Sequence, residues 1–323
     1  MIQILKQMKV NFIGNRYKAY LLSGVIILIG LISIIIHGGF NYGVDFTGGT
    51  LVQIHFQKSV PTDEVRKALV EIGMGEAEIQ KVKDTELLHN AFLIRSGKVE
   101  LTTSASESGA KESSPSGETL GKKIVSAFLA RYPDNPIFVD SEDIVGPKIG
   151  KELRGKAVWA VIIGWILILI YVAIRFDFRF GVASVLSLVH DVLATAGFVS
   201  LTNMEFNMQT IAVFLTIIGY SINDSIVVAD RIRENRKLMR KESLAEIANT
   251  SVNQTLSRTV ITSFTVVLVL IFLVIFGGRV LKDLAVPLLF GVIVGTYSSI
   301  FVVAAIVVDW EKFSPSRQEK RRR

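Results

Sequence analysis

Apolar and polar positions divide the chain into six long apolar runs and one extended polar segment. The runs are 19–38, 156–175, 180–202, 208–230, 256–277 and 284–309. A bilayer core of about 30 Å needs about 20 such residues per helix, so each run predicts a transmembrane helix. Between the first two runs, residues 39–150 are polar and their period changes. "TLVQIHF" (50–56), "AEIQKV" (77–82), "AFLIRS" (91–96) and "PIFVDSEDIV" (136–145) read as strands. "TDEVRKALVEIG" (62–73), with Thr62 as N-cap, and "GETLGKKIVSAFLARY" (117–132) read as amphipathic helices. The order strand-helix-strand-strand-helix-strand predicts a small α+β ferredoxin-like domain. Residues 97–116, rich in Ser, Gly and Glu, read as a flexible loop inside it. The expected fold class is an α-helical polytopic membrane protein of six transmembrane helices with that domain inserted between helices 1 and 2.

Charge gives the runs a direction. Eighteen Lys and Arg fall in the N-terminal segment 1–18, at Arg175 and Arg179, in the 231–255 connection and in the 310–323 tail. The short loops of the other side hold only Arg279 and Lys282. By the positive-inside rule both termini and the 231–255 loop are expected in the cytoplasm, and the 39–150 domain outside it. Arg231, Arg233, Asp230 and Glu234 then read as a solvated helix end. The first run follows Lys6, Lys9, Arg16 and Lys18 like a signal peptide. Its length and the lack of a small-residue cleavage site favour an uncleaved signal anchor.

Half of the residues are hydrophobic and the mean hydropathy is +0.45, as expected of several membrane helices. The net charge of +7 would suggest nucleic acid for a soluble chain. Here it predicts basic loops beside anionic lipid, and no nucleic-acid partner. With no cysteine there is no disulfide or thiolate metal site, and His37, His55, His89 and His190 show no ligand spacing. No metal or cofactor is expected. "GETLGKK" has three residues between its glycines where a phosphate loop needs four, which excludes an ATP site of that type.

Three ionisable groups fall inside the runs, where a charge costs about 2.5–3.5 kcal/mol on insertion scales. Asp224 lies about 24 Å from the outer end of the fourth helix and Arg258 about 28 Å from that of the fifth, at 1.5 Å per residue. The two depths agree within a turn, so the pair could meet across a helix interface. Thr216, Tyr220, Asn223 and Asp224 form a polar stripe on the fourth helix. Thr255, Thr259, Thr262 and Ser263 form another on the fifth. Two such stripes suggest a hydrated crevice, with Asp224 and Arg258 as an ion path. The competing reading is a static ion pair that fixes helix packing. Asp191 sits near mid-membrane in the third helix; relay and simple packing of His190-Asp191 stay open. Gly291-xxx-Gly295-xxx-Ser299 is a small-residue packing face.

Five stretches in order, "GVDFTGGT" (43–50), "VGPKIGKEL" (145–153), "HDV" (190–192), "IGYSINDSIVVADRIREN" (218–235) and "TLSRT" (255–259), resemble the SecF branch of the SecD/SecF protein-export family. The resemblance covers nearly the whole chain. It implies the resistance-nodulation-division (RND) architecture, in which this chain supplies one six-helix half of the bundle and SecD the other. It also implies a non-enzymatic subunit of the bacterial inner membrane. With SecD, such a subunit uses the proton (or sodium) motive force to promote late steps of preprotein translocation. The implied partners are SecD, the SecY–SecE–SecG translocon, YajC and YidC, and preprotein substrates. The family's proton path carries over onto Asp224 and Arg258, completed by an Asp of SecD. Gly43, Asp45, Gly48 and Gly49 are assigned a structural role at the start of the outer domain, the three glycines permitting a tight turn. Two rival functions are a small-molecule or lipid exporter of the same superfamily and a static assembly scaffold.

Overall fold

The computed structural model describes residues 10–82, 90–97, 120–175 and 178–313. The chain divides into two compact units, Met1–Asn41 with Ala157–Arg323, and Tyr42–Lys156. In chain order, α1 (Arg16–Ile36) is followed by α2 (Val44–Thr47), β1 (Gly49–Phe56), α3 (Thr62–Glu71), β2 (Glu78–Val82), β3 (Ala91–Ser96), α4 (Leu120–Arg131) and β4 (Ile137–Val145). Then come α5 (Pro147–Arg175), α6 (Phe178–Leu201), α7 (Met208–Leu238), α8 (Leu244–Phe276) and α9 (Gly278–Ser298). A π-helical segment (Ser299–Val303) and α10 (Ala304–Phe313) complete the chain.

The Tyr42–Lys156 unit is the split β-α-β arrangement expected from the element order. Its four strands lie in the order β2-β3-β1-β4, every neighbour antiparallel, so β3 is inserted between β1 and β2. Alternate residues Val52, Ile54 and Phe56 of β1 face a core with Phe92, Ile94, Leu69, Ile124 and Phe128. A register shift between Gln53 and Ile54 leaves Asp140 outside the β1–β4 ladder. Its carboxylate accepts from Gln53 Nε2 at 3.3 Å and lies 2.6 Å from His55 Nδ1. Thr62 is not the N-cap of α3. Pro61 takes that place in extended backbone with no side-chain cap, and Thr62 is already the first helical residue. Of the 97–116 segment, residues 98–116 lie outside the described residues.

"GVDFTGGT" folds as the single helical turn α2, closed by Gly48 at φ 73° and Gly49 at φ 131°. A side chain on Gly49 would also meet the Ser96 carbonyl oxygen at 2.5 Å. Gly43, by contrast, has φ −67° and ψ 170°, which any residue adopts, so its expected role in a tight turn is not needed.

Among the described residues six helices are long and apolar enough to cross a membrane, and the chain is a multi-pass membrane protein. Helix boundaries overrun the apolar runs because the flanking polar residues are themselves good helix formers. α5 starts at Pro147, a residue suited to a first turn, rather than at 156. The 231–255 loop is a correction: most of it is helix, with α7 reaching Leu238 and α8 starting at Leu244. A capping box explains the restart. The Ser243 hydroxyl accepts from Glu246 N at 3.3 Å, and Glu246 Oε2 accepts from Ser243 N at 2.9 Å. The run 284–309 is one path broken by the π-helical segment, not a regular helix.

Small residues set the seams of the bundle. A Cβ on Gly30 of α1 would sit 2.6 Å from Gly197 Cα of α6. On α9 a Cβ at Gly291 would sit 2.1 Å from Ile217 Cδ1, and one at Gly295 3.3 Å from Ser221 Cβ, both on α7. The Gly291-Gly295 face thus packs on α7. Where α1 begins and α10 ends, Arg16 grips Asp309 through Nε at 2.9 and 3.1 Å, and Tyr20 Oη adds 3.1 Å. α6 is largely buried, whereas α5 and α8 are mostly exposed on the surface of this chain.

Candidate functional site

α7 packs against α6, α8 and α9. Three ties set its antiparallel register on α8. Tyr220 Oη donates to Ser263 Oγ at 2.9 Å, Arg231 Nε to Gln254 Oε1 at 2.6 Å, and Asn235 Nδ2 to Ser251 Oγ at 2.8 Å. Between the first and second, Asp224 comes level with Thr259, next to Arg258. The equal depth expected for Asp224 and Arg258 follows from this register.

Contact between them does not. Asp224 is 3% exposed and its Oδ2 has no hydrogen-bond partner. Among the described residues no ion pair within 4.0 Å joins it to Arg258, whose side chain opens on the surface of this chain. Thr259 Oγ1 is likewise buried and unpartnered. At one level the site thus holds a buried carboxylate, a buried hydroxyl without a partner and an exposed arginine.

The polar stripes separate by rotation about their helices. Tyr220 points into a three-helix junction, where Ser263 also accepts from Thr296 Oγ1 of α9 at 2.7 Å. Thr216 and Asn223 are exposed, and Thr216 returns its hydroxyl to Ala212 O of its own helix at 2.7 Å. Thr262 does the same to the Arg258 and Thr259 carbonyl oxygens, both at 3.0 Å. These two hydroxyls satisfy themselves, and the stripes do not line one crevice within this chain.

Asp191 is the better-connected carboxylate. It is fully buried, and its Oδ2 accepts from Ser221 Oγ of α7 at 2.6 Å and Ser298 Oγ of α9 at 2.8 Å. Its Oδ1 lies 2.8 Å from His190 Nδ1. Ser221 and Ser298 do not stand out in the sequence as partners of Asp191. The only signal for them was serine recurring on apolar helices beside residues already marked, Ser221 three before Asp224 and Ser298 after Gly295. Asp45 stands in the first turn of α2, in the other unit.

The family model for the protein export membrane protein SecD/SecF, C-terminal, matches residues 126–313, and that for the SecD/SecF GG motif matches 33–60. The chain is 38% identical to the protein translocase subunit SecF of Endomicrobium trichonymphae, over 96% of this chain and 94% of that one. To SecF of Calditerrivibrio nitroreducens it is 39% identical, over 92% and 93%. The crystal structure of SecDF, a translocon-associated membrane protein from Thermus thermophilus, superposes with a TM-score of 0.77 at 41% identity, over 94% of this chain and 39% of that one. Matched by a family model over more than half its length and by SecF subunits over nearly all of it, the chain belongs to the SecD/SecF family of protein export membrane proteins.

Proposed function

We propose that this chain is a SecF-type subunit of a protein translocase. With a SecD partner, it uses the proton or sodium motive force to promote late steps of preprotein translocation across the bacterial cytoplasmic membrane. The observation that carries the coupling is Asp224, a buried carboxylate with an unpartnered oxygen, level with but not bonded to Arg258. A group so placed exchanges a proton or binds a cation when its surroundings change, because neither form is locked by a fixed partner.

A second chain has a physical reason to cover this face. Arg258, Asn223 and Thr216 are exposed on the surface of this chain at a depth where lipid would leave them unsolvated. A six-helix partner supplying a carboxylate there would complete the path. On this reading both termini face the cytoplasm and the Tyr42–Lys156 unit lies outside. The wider set of partners is the SecY–SecE–SecG translocon with YajC and YidC. One charge crossing 100 mV supplies about 2.3 kcal/mol. That biases a two-state element by tens of fold, enough to shift an outer domain between chain-holding and chain-releasing forms.

The test is preprotein export in membrane vesicles with independently imposed pH and sodium gradients. Asp224→Asn is expected to abolish gradient-dependent export while the variant still co-purifies with SecD. Full gradient-dependent export by Asp224→Asn would overturn the coupling role. Loss of the complex in place of loss of coupling would favour a scaffold.

A further inference from the structure

α1 begins and α10 ends at one level of the bundle, because Arg16 in the first turn of α1 bonds Asp309 near the end of α10. Both helices belong to spans apolar enough to cross a membrane, so this level is where a bilayer meets water. Between them an open groove of about 520 Å³ is lined by Tyr20 of α1 and by Ile306, Asp309, Trp310 and Phe313 of α10. Ligand clefts usually measure ~300–1,000 Å³.

Helical spacing explains the groove. Ile306, Trp310 and Phe313 recur at four and three residues and form one ridge of α10. Phe313 is 90% exposed, and Trp310 packs edge-on against Phe178 of α6, ring centroids 6.2 Å apart. On α1 the matching stripe is Tyr20, Gly24 and Leu28, one turn apart. A Cβ on Gly24 would meet nothing within 4 Å, and Leu28 is exposed. The stripe therefore runs on into the span as an apolar track with no side chain at its middle.

The polar groups at the mouth are unevenly matched. Asp309 is the acid of the lining, and it is neutralised. Arg16 Nε donates to both its oxygens at 2.9 and 3.1 Å, and Tyr20 Oη donates to Oδ2 at 3.1 Å. Arg16 is buried and fully engaged, with Nη1 on the Ile13 carbonyl at 2.9 Å and Nη2 on Tyr17 Oη at 3.0 Å. Lys312 lies 3.8 Å from Asp309 and its side chain is 56% exposed, so it is a cation beyond what that acid needs. The Trp310 indole N–H has no hydrogen-bond partner among the described residues. Aromatic rings at interface depth, apolar walls below them and a spare cation beside a free donor suit a molecule with a long apolar tail and a phosphate head.

We propose that this groove binds one phospholipid. An acyl chain lies along Tyr20, Gly24 and Leu28 against Ile306, and the phosphate sits at the mouth on Lys312 Nζ and Trp310 Nε1. Lipid is the occupant because the groove is exposed on two spans at headgroup depth, whereas the surface that the proposed SecD partner covers, around Arg258, belongs to α7 and α8. The site is a single bound molecule, distinct from the general pull of basic loops on anionic lipid, and it stands whether or not Asp224 couples ions to export. By joining α1 to α10 beside the Arg16–Asp309 pair, the lipid stabilises that end of the bundle through its own binding.

The test is native mass spectrometry of the complex with SecD, titrated with phosphatidylglycerol, with phosphatidylethanolamine and with diacylglycerol of the same chains as the headless control. Both phospholipids are expected to fill one saturable site that diacylglycerol does not. Gly24→Ile fills the track and should weaken that site about tenfold or more, the worth of roughly two buried methylenes. Lys312→Gln should weaken it about fivefold, the share of one lysine at a membrane surface. Trp310→Phe keeps the ring, loses the N–H and should weaken the phospholipids alone. If Gly24→Ile does not assemble, Lys312→Gln and Trp310→Phe decide the matter in its place. Affinity unchanged by Gly24→Ile or by Lys312→Gln, or diacylglycerol bound as tightly as phospholipid, would each overturn the proposal. So would cross-linking of Gly24→Cys to SecD, which would put a helix of the partner in the groove.

Discussion

Tyr220 and Ser263 bond across the α7–α8 interface at 2.9 Å, and this contact fixes the level at which Asp224 meets the next helix. Interhelical hydrogen bonds in membranes average about 0.6 kcal/mol and reach about 1.7. Tyr220→Phe keeps the ring and removes the bond, so a loss of stability inside that span is expected. Reversible unfolding of the reconstituted protein measures it. An unchanged stability would mean that other ties hold the register.

Gly291 is the tightest point of the α7–α9 seam. A Cβ there would stand 2.1 Å from Ile217 Cδ1, 2.6 Å from its Cγ1 and 3.1 Å from Thr195 Oγ1. Gly291→Ala is expected to destabilise by about 1–3 kcal/mol, the usual range for overpacking. Ile217→Val removes the clashing methyl, so the double variant should recover part of the loss. A double-mutant cycle with no coupling energy would place the strain elsewhere.

The segment preceding α1 is held by two asparagines one turn apart on α8. Asn249 Oδ1 accepts from Phe12 N at 2.8 Å and Ile13 N at 3.3 Å, and Asn253 Oδ1 accepts from Val10 N at 3.0 Å. Both amide nitrogens return to the Val10 carbonyl, at 3.2 and 2.8 Å. At about 1 kcal/mol net per bond, Asn249→Ala should raise transient release of the segment by tenfold or more. Limited proteolysis at residues 10–13 reads this directly, and wild-type cleavage rates would contradict it.

In the Tyr42–Lys156 unit, Tyr132 Oη donates to Glu64 Oε2 at 2.6 Å, and Lys67 Nζ to Oε1 at 2.9 Å. The Tyr132 bond first, then Lys67 and the Arg131 charge, hold the Glu64 carboxyl down at about 2 against an ordinary 4.5. A depressed carboxyl contributes stability above its unfolded value, and that contribution is lost as pH falls from about 4.5 toward 2. Glu64→Gln should therefore be less stable than wild type near neutrality, with the difference closing across that acid window. Hydrogen exchange of the α3 amides, corrected for intrinsic rates, follows it. A difference independent of pH would rule out titration of Glu64 as the cause.

Much of the architecture is legible in the linear pattern. Run length announces six crossings, and the switch of period between 39 and 150 announces a split β-α-β unit, because both signals are local to each element. The ends of the helices were not legible. Arg231 to Leu238 and Leu244 to Thr255 are polar, and polarity alone made them a loop, whereas propensity and the Ser243–Glu246 box keep them helical. The depth of Asp224 and Arg258 could be counted along the chain, since rise per residue is constant.

The sequence by itself thus determined which groups lie inside the membrane, at what level, and on which helix. Tertiary structure decided what each of them touches. Asp191 gathers Ser221 and Ser298, Asp224 keeps an unpartnered oxygen, and Arg258 opens outward. Those outcomes depend on how each helix is rotated about its axis. That rotation is set by close approaches such as Gly30 to Gly197 and Gly291 to Ile217, which join residues far apart in the chain and leave no periodicity in any one helix.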